Sequence, residues 1–194
     1  MKILYVTKSE KKVREFKEVL KKHVDAIVNV DSLFDLEYDV ITSTPTRDLE
    51  ANVKKIVSAV WKKEKTNYDY VVGDGYGLFS DFAPNILGVD SDSWWPGTQR
   101  DKNEALVNLF TGIKDREIYY KSVFVACDKS GKNIVSTGYL YGYLARKVKE
   151  RNGEGYDGVF ITKEGKHLSS YSQEEIETMS ARNVAIVQLV EKMV

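Results

Sequence analysis

The sequence has little that would tie it to a disulfide scaffold, a nucleic acid or a membrane. Its single cysteine, Cys127, excludes an internal disulfide framework, and the apolar run around it indicates core packing. Lys plus Arg and Asp plus Glu both number 29, so the chain lacks the basic excess that attracts nucleic acid over long distances. No apolar run approaches the roughly 20 residues of a membrane helix. We therefore expect no nucleic-acid partner and no membrane partner.

The length and the beginning of the chain set two further expectations. A chain of 194 residues suits one domain over residues 1–194, folded as two lobes. Such a chain buries most of its apolar surface without the help of disulfides or structural metal ions. The first seven residues are too short and too quickly polar for a signal peptide, so we expect a cytoplasmic protein.

Apolar runs and helical stripes alternate in the first half of the chain. Residues 3–6, 26–30 and 70–72 are short apolar runs that predict buried strands, the last of them ended by a glycine-rich segment. Ser9 predicts a helix N-cap, because an apolar stripe at helical spacing follows it. The opening unit is therefore predicted to be strand, polar loop and helix.

The second half of the chain predicts a long β-hairpin. Residues 118–127 and 134–144 flank the turn segment 128–132, DKSGK. Residues 172–175 match a capping box, and a last helix is predicted after Ser180. Strands that alternate with helices, around a central hairpin, predict an α/β fold with a mixed sheet.

Two polar segments follow the predicted strands of the first half. Residues 7–12, TKSEKK, open the first helix, where backbone N–H groups and lysines can hold a polyphosphate; the alternative is a solvated, serine-capped turn. Asp74 lies in GDGYG, residues 73–77, directly after an apolar run. A carboxylate there can reach a metal or a water, and the alternative is an Asx turn.

Two later segments could contact a flat ligand. Residues 153–160, GEGYDGVF, allow the backbone to approach such a ligand closely, or form a tight loop in which Asp157 caps its own backbone. Arg182 follows Ser180 at the start of the last helix, where its guanidinium can fork onto a base or a phosphate. The alternative is an exposed arginine on a capped helix.

In this order, the four segments resemble the inosine-triphosphate pyrophosphatase family. The family opens with Thr-x-Asn-x-x-Lys-x-x-Glu, and its middle motif is an acidic pair followed by a small residue, Gly and Leu. It continues with spaced hairpin glycines, Phe-Gly-(Tyr/Trp)-Asp-Pro-x-Phe and Lys-x-x-x-x-Ser-His-Arg. The matching positions here are Thr7, Ser9, Lys12, Glu15, residues 73–78, Gly138, Gly142, residues 154–160 and residues 176–182.

The resemblance implies a fold and a reaction. The fold is a long twisted mixed sheet flanked by helices, with two lobes around a central cleft, shared with the septum-formation (Maf-like) pyrophosphatases. The reaction is hydrolysis of a nucleoside triphosphate to the monophosphate and pyrophosphate with Mg²⁺, by a homodimer. Asp74 and Lys12 are the implied catalytic residues.

The resemblance also implies the substrate and metal contacts. Lys12 and Lys55 hold phosphates, with the adjacent Lys54 as the alternative to Lys55, and so do Thr7 and Ser9 in the opening motif. Tyr156 and Asp157 lie near the base and sugar, and Arg182 lies near the base. Asp74 binds the metal or positions the attacking water, and Glu37, with Asp39, is the nearest match to the family's further metal-binding glutamate.

The departures from the family pattern fall at functional positions. Gly73 replaces the first acid of the middle pair, which removes one possible metal ligand. Glu154 replaces the phenylalanine that stacks on the purine, Ala181 replaces a histidine and Ile176 replaces a lysine. Because base stacking is worth about 1–3 kcal/mol, we predict an altered base preference, with Glu154 accepting from an amino or imino edge. Trp94, Trp95 or Tyr156 could supply the missing stack.

Three other functions stay open from the sequence. The missing acid and lysine are compatible with a catalytically weak relative that binds nucleotide without turnover. A Maf-like pyrophosphatase shares the fold, although the Gly-Tyr-Asp and Ser-x-Arg stretches argue against it. A pure interaction protein on this fold is the third alternative, and an empty cleft under saturating nucleotide would indicate it.

Overall fold

The computed structural model describes residues 1–24, 27–32, 46–84, 86–149 and 155–194. Within them the chain forms six strands in one sheet, in the order β2-β1-β3-β4-β5-β6, and five α-helices. Strand β1 runs parallel to β2 and β3, whereas β5 and β6 are antiparallel, so the sheet is mixed. The elements are β1 (Lys2–Tyr5), α1 (Glu10–His23), β2 (Asn29–Ser32), α2 (Leu49–Glu64), β3 (Tyr70–Phe79), α3 (Gln99–Leu109), β4 (Glu117–Asp128), β5 (Asn133–Leu144), β6 (Phe160–Thr162), α4 (Gln173–Met179) and α5 (Ala181–Met193).

The predicted α/β fold with a mixed sheet is confirmed, and so are several local signals. Ser9 caps α1, its hydroxyl accepting a hydrogen bond from the backbone N–H of Lys12 at 3.4 Å. Ser172 and Glu175 form the predicted capping box at the start of α4. The turn between β4 and β5 contains Gly131 at φ +88°, a left-handed conformation that glycine adopts without strain.

Two predicted strand boundaries were wrong. Strand β2 starts at Asn29, so it is displaced from the predicted 26–30. Strand β3 does not end at Gly73 but continues through the glycines to Phe79. The reason is the neighbouring helix: a β-carbon on Gly73 or Gly75 would lie within 2.8 Å of α2 side chains. The glycines therefore allow a helix to approach the strand closely instead of turning the chain.

The chain separates into two compact units. Unit 1 comprises Met1–Tyr76, Ser122–Gly138 and Ala181–Val194, and unit 2 comprises Gly77–Lys121 and Tyr139–Ser180. Strands β3, β4 and β5 contribute residues to both. The expectation of one domain over residues 1–194 with two lobes stays a prediction. None of the helices in the part of the chain described is long and apolar enough to span a bilayer.

Unit 1 is built on both faces of its strands. On one face, α1 and α5 pack over β1, β3 and β4, in a buried cluster that includes Tyr5, Phe16, Val72, Phe124 and Leu189. Helix α2 covers the other face. Because side chains alternate along a strand, Val72 and Asp74 face α1 and α5, whereas Gly73 and Gly75 face α2.

The start of α5 is fixed by a glycine of β5. A β-carbon on Gly138 would collide with the carbonyl oxygen of Ala181, so the strand meets the first turn of α5 backbone to backbone. The Ser136 hydroxyl adds a hydrogen bond of 2.7 Å to the carbonyl of Ala185. These contacts hold Arg182, the second residue of α5, over the same face of the strands as Asp74.

Unit 2 has a core of its own. The buried guanidinium of Arg116 donates to the carbonyls of Leu144 at 2.9 Å and Ala145 at 2.7 Å, and also to that of Phe110. The rings of Tyr120 and Phe160 stack with centroids 5.0 Å apart. Burial lowers the pKa of Arg116, yet the carbonyl oxygens satisfy its donors, so this arginine is structural.

Candidate active site in unit 1

Asp74 is the centre of the candidate site. It lies on β3 with a side chain only 2% exposed, and both carboxylate oxygens are engaged. The hydroxyl of Tyr5 donates to Oδ1 at 2.8 Å, and the ammonium of Lys12 donates to Oδ2 at 2.8 Å. An isolated buried carboxylate is costly, so these partners are what allow Asp74 to remain charged inside the unit.

Lys12 reaches Asp74 from the first helical turn of α1. Its side chain is 29% exposed, so the ammonium stands between the buried carboxylate and solvent. The Ser9 cap fixes the start of this helix, and the Ser9 N–H donates to the Thr7 hydroxyl at 3.2 Å. Thr7 is buried and Ser9 half-buried, so the predicted phosphate-binding turn lies in the same unit as Asp74.

Arg182 completes a charged cluster with Asp74 and Glu15. Its guanidinium lies 4.0 Å from Asp74 Oδ2 and 3.7 Å from Glu15 Oε2, and it stacks over the ring of Tyr76 at 5.5 Å. The cluster therefore pairs the cations of Lys12 and Arg182 with the two carboxylates. Such pairing balances charge in a site that is largely removed from water.

The charges around Asp74 decide its ionisation. Burial acts to raise the pKa of Asp74, but the attraction of Lys12 and Arg182 and the hydrogen bonds from Lys12 and Tyr5 together lower it below its usual value. Burial, followed by the negative charge of Asp74, raises the pKa of Tyr5 well above its usual value. At neutral pH the carboxylate is therefore ionised and the phenol is a neutral donor.

The structure thus brings together Asp74, Lys12 and Arg182, which the sequence placed in three separate motifs. Tyr5 was missed. It lies inside the apolar run of β1, where its ring packs 5.1 Å from Phe16, and such a run predicts core packing only. A polar hydroxyl in an otherwise aliphatic strand was the one signal available, since a buried hydroxyl requires a partner.

Lys55 does not join this cluster. It is exposed on α2, whose Val53 and Val57 face Gly73, on the opposite side of β3 from Asp74. The expectation that Gly73 marks a lost metal ligand also needs correction. A side chain at position 73 would point towards α2 and its valines, away from the Asp74 carboxylate, because side chains alternate along the strand.

Tyr156 and Asp157 belong to unit 2. The Tyr156 side chain is 3% exposed, and its hydroxyl accepts from the Trp94 indole N–H at 2.8 Å and donates to the Ser91 carbonyl. Burial raises the pKa of Tyr156 to about 12, so the phenol is a neutral structural donor. The carbonyl of Asp157 accepts from the Ser169 N–H at 3.1 Å. A buried Tyr156 leaves no ring face open for stacking on a base.

The aromatic side chains near Tyr156 offer another surface. Trp94 and the half-exposed Trp95 line a cavity of about 780 Å³ in unit 2, together with Asp90 and Asn108. Of the three aromatic residues named for a base stack, Trp95 has the most accessible ring. Glu154 and Glu37 lie outside the residues that the structure describes.

A magnesium ion does not fit the described residues as they are arranged. Mg²⁺ prefers several oxygen ligands at short distances, and the two oxygens of Asp74 already accept hydrogen bonds from Tyr5 and Lys12. No group of three or more His, Cys, Asp or Glu side chains that could hold a metal occurs within the described ranges. An ion would therefore need phosphate oxygens, or Lys12 would have to leave Asp74.

The chain is similar to known proteins over nearly its whole length. A model described as Ham1 family matches residues 3–192. The dITP/XTP pyrophosphatase of Caldanaerobacter subterraneus subsp. tengcongensis is 27% identical over 196 residues, covering 98% of this chain and 95% of that protein. The dITP/XTP pyrophosphatase of Clostridium perfringens is 28% identical over 196 residues, covering 97% and 95%.

Solved structures have the same fold. The Staphylococcus aureus Ham1 protein superimposes with a TM-score of 0.85 at 23% identity, covering 100% of this chain and 98% of that one. A nucleoside-triphosphatase / dITP/XTP pyrophosphatase from Mycobacterium abscessus has a TM-score of 0.81 at 26% identity and full coverage of both chains. The similarity extends over both units of the chain.

Proposed function

The chain belongs to the Ham1 family, and from that premise we propose that it hydrolyses a nucleoside triphosphate to the monophosphate and pyrophosphate. The observation that carries this proposal is the pairing of Lys12 with the buried Asp74 at 2.8 Å beside the N-terminus of α1. A carboxylate and an ammonium next to a helix N-terminus are groups that can serve anhydride hydrolysis. The named activity of the relatives, dITP/XTP pyrophosphatase, supports the same reaction.

The reaction requires one bond to form and one to break. A water oxygen attacks the α-phosphorus, the bond from that phosphorus to the bridging oxygen breaks, and the electron pair leaves on pyrophosphate. Asp74 orients the attacking water and accepts its proton, while Lys12 neutralises charge on the leaving group. Arg182 stays beside Asp74 and keeps the buried carboxylate paired.

Lys12 has to change partner for this reaction to occur. In the structure its ammonium covers Asp74, whose side chain is 2% exposed. A flexible lysine stem allows the ammonium to turn towards a phosphate. That movement uncovers Asp74 and removes the attraction and the hydrogen bond by which Lys12 lowers the pKa of the carboxylate, while Arg182 and Tyr5 still oppose the effect of burial. The carboxylate then binds a proton more readily than it does in the free protein.

The magnesium requirement is part of the proposal. Mg²⁺ in phosphoryl-transfer sites commonly keeps several waters and takes one or two carboxylates together with substrate phosphates. The resemblance predicts Asp74, and Glu37 outside the described residues, as ligands. Because Asp74 acts as the base in the proposed reaction, we expect the substrate phosphates and Glu37 to hold the ion instead. Because the described residues do not accommodate the ion by themselves, it is expected to bind with the triphosphate and only weakly to the free protein.

The base preference is proposed to differ from that of the dITP/XTP relatives. Glu154 stands where the family has a stacking phenylalanine, and a carboxylate accepts from an amino or imino edge. Trp95 is the accessible ring that could replace the stack. A panel of nucleoside triphosphates and deoxynucleoside triphosphates assayed for pyrophosphate release tests this, and inosine triphosphate as clearly the best substrate would show it to be wrong.

The reaction itself is tested by its products. Purified protein, Mg²⁺ and a triphosphate should give pyrophosphate and monophosphate in equal amounts. Release of inorganic phosphate with a diphosphate instead would mean attack at the γ-phosphorus and would contradict the proposal.

A catalytically weak nucleotide-binding relative is the second candidate. It is favoured by the two engaged oxygens of Asp74, which leave the carboxylate unavailable in the arrangement observed. Tight calorimetric binding of a triphosphate without Mg²⁺-dependent pyrophosphate release would support this candidate over the enzyme.

A homodimer in the cytoplasm completes the proposal, with a nucleoside triphosphate as partner and no nucleic acid or membrane. Both the dimer and the compartment follow from the family resemblance and the sequence. Light scattering coupled to size-exclusion chromatography should give twice the chain mass of 22.1 kDa. A monomer at micromolar concentration would contradict the dimer.

A further inference from the structure

Tyr5 is a buried residue of the site that the reaction above does not use. Strand β1 pairs with β3 so that Tyr5 lies opposite Val72. Val72 and Asp74 are alternate residues of β3, so their side chains lie on the same face of the sheet. The Tyr5 ring is fully buried, with ring centroids 5.1 Å from Phe16 and 6.0 Å from Phe124. Its hydroxyl therefore reaches Asp74 Oδ1 from a fixed position in the core.

We infer that Tyr5 is a positioning residue for Asp74: its hydroxyl keeps the carboxylate in one orientation when Lys12 leaves it for a phosphate. The inference rests on the proposed function. It assigns to the core strand β1 a part of the site that the family motifs do not contain.

The contacts of Asp74 explain why a second donor is needed. Within the described part of the chain, the carboxylate accepts side-chain hydrogen bonds from Tyr5 and Lys12. Arg182 lies 4.0 Å from Oδ2, beyond hydrogen-bond distance, and it is shared with Glu15. Once Lys12 turns to a phosphate, the Tyr5 hydroxyl is the remaining group that fixes rotation about the carboxylate bond.

The chemistry of the core supports the same role. A phenylalanine would fill the same volume between Phe16 and Phe124 without a polar atom. A buried hydroxyl is costly unless it is hydrogen-bonded, so its place here is accounted for by Asp74. A donor held by a rigid aromatic ring loses little conformational freedom and gives the carboxylate a defined direction.

The test is Tyr5→Phe in the full chain, with Tyr70→Phe as the matched control. Tyr70 lies on β3 and also packs against the core of unit 1, but its hydroxyl bonds the carbonyl of Met193 at 3.4 Å, far from Asp74. Steady-state kinetics of pyrophosphate release should show kcat of Y5F lowered about 10- to 100-fold with KM within about twofold of wild type, as for a misplaced catalytic group. Y70F should match wild type in both constants.

A change in kcat without a change in KM distinguishes a positioning role of Tyr5 from a loss of folded protein. Loss of activity in Y5F that follows the fraction unfolded in a thermal melt, or that changes KM and kcat together, would overturn the inference. Unchanged kcat in a folded Y5F would also overturn it. Inactive wild-type protein would instead refute the proposed function, and that result is visible before any variant is made.

A second measurement does not depend on the stability of Y5F. A ring-fluorinated tyrosine placed at position 5 by codon suppression keeps the ring and the hydroxyl but is a stronger donor, and it should retain or raise kcat. Crystals of wild type with a non-hydrolysable triphosphate should show one carboxylate orientation with the Tyr5 bond intact. Loss of that bond in the wild-type complex would overturn the inference.

Discussion

The ammonium of Lys12 lies 2.8 Å from Asp74 Oδ2, although 62 residues separate them in the chain. The helix that carries Lys12 follows β1 after a short loop, and β1 pairs directly with β3, which carries Asp74. The pairing of two parallel strands thus converts two distant motifs into one ion pair. Because Asp74 is almost completely buried, this pair controls both the charge of the carboxylate and its access to a substrate.

Replacing Asp74 by Asn should abolish most of the activity. The amide keeps the size of the side chain but cannot accept a proton from water, so kcat should fall by about 10²- to 10⁴-fold, the usual contribution of a general base. Binding of a non-hydrolysable triphosphate, measured by calorimetry, should be retained. The matched control is Asp69→Asn, since Asp69 pairs with Lys129 at 2.6 Å and has no contact with the cluster. Full activity of D74N would contradict the role given to Asp74.

Lys12 and Lys55 should differ sharply when each is replaced by Met. Lys12 is next to Asp74, and losing a hydrogen bond to a charged phosphate should weaken kcat/KM roughly 10- to 100-fold. Lys55 is exposed on the opposite side of β3, so K55M should stay within about twofold of wild type, as surface substitutions usually do. Equal losses in both variants would mean that the phosphates reach α2 and that the family-based assignment of Lys55 was right.

The pH dependence of kcat and kcat/KM should separate the two states of Lys12. The pKa of Asp74 is lowered in the free protein, where burial is outweighed by Lys12 and Arg182, so the acidic limb of kcat/KM should lie at low pH. Under the proposed exchange, Lys12 leaves the carboxylate when substrate binds, so the acidic limb of kcat should lie at higher pH than that of kcat/KM. In K12M the acidic limb of kcat/KM should move to higher pH, because the free protein has lost the attraction of Lys12. The acidic limb of kcat should move less. Coincident limbs in wild type would contradict the exchange of partners by Lys12.

The local sequence singled out the polar segments of this site, each with a purely structural alternative, and only the family resemblance joined them into one site. Ser9 caps a helix, Lys12 lies one turn later, and Asp74 follows an apolar run, so each was visible within a few residues. Arg182 was visible at the predicted start of the last helix, directly after Ser180. What the sequence could not supply was the pairing of β1 with β3, which determines that Tyr5 faces Asp74.

The glycines of β3 show where a local sequence preference gave the wrong prediction. Glycine next to aspartate is a strong turn former, so residues 73–77 predicted a turn that ended the strand. The structure instead extends the strand, because the missing side chains of Gly73 and Gly75 make room for Leu49, Val53 and Val57 of α2. A packing requirement between a strand and a helix far apart in sequence overrides a local preference. No window of a few residues contains that information.

Removal of divalent metal should stop turnover without unfolding the protein. Among the described residues no three His, Cys, Asp or Glu side chains come together to hold a metal, and Mg²⁺ commonly takes only one or two carboxylates together with substrate phosphates, so the ion is expected to bind with the triphosphate. EDTA should abolish pyrophosphate release, Mg²⁺ should restore it, and the melting temperature without nucleotide should be unchanged by either. A large stabilisation by Mg²⁺ alone would reveal a site outside the described residues, for which Glu37→Gln is the matched test.

Restoring an acid at position 73 should destabilise the protein instead of improving its metal binding. A β-carbon on Gly73 would lie 2.6 Å from Val57 Cγ2 and 3.5 Å from Val53 Cγ1. Gly73→Ala already places a β-carbon against the stiff, β-branched Val57, so it should cost on the order of 1 kcal/mol or more of unfolding free energy, and Gly73→Asp should cost more. Gly73→Asp places a charge against two valines, and overpacking with an unpaired buried carboxylate should cost at least about 2 kcal/mol of unfolding free energy. Urea denaturation of both variants and magnesium titrations of their activity check this, and a stable G73D with a raised Mg²⁺ affinity would show that position 73 faces the metal after all.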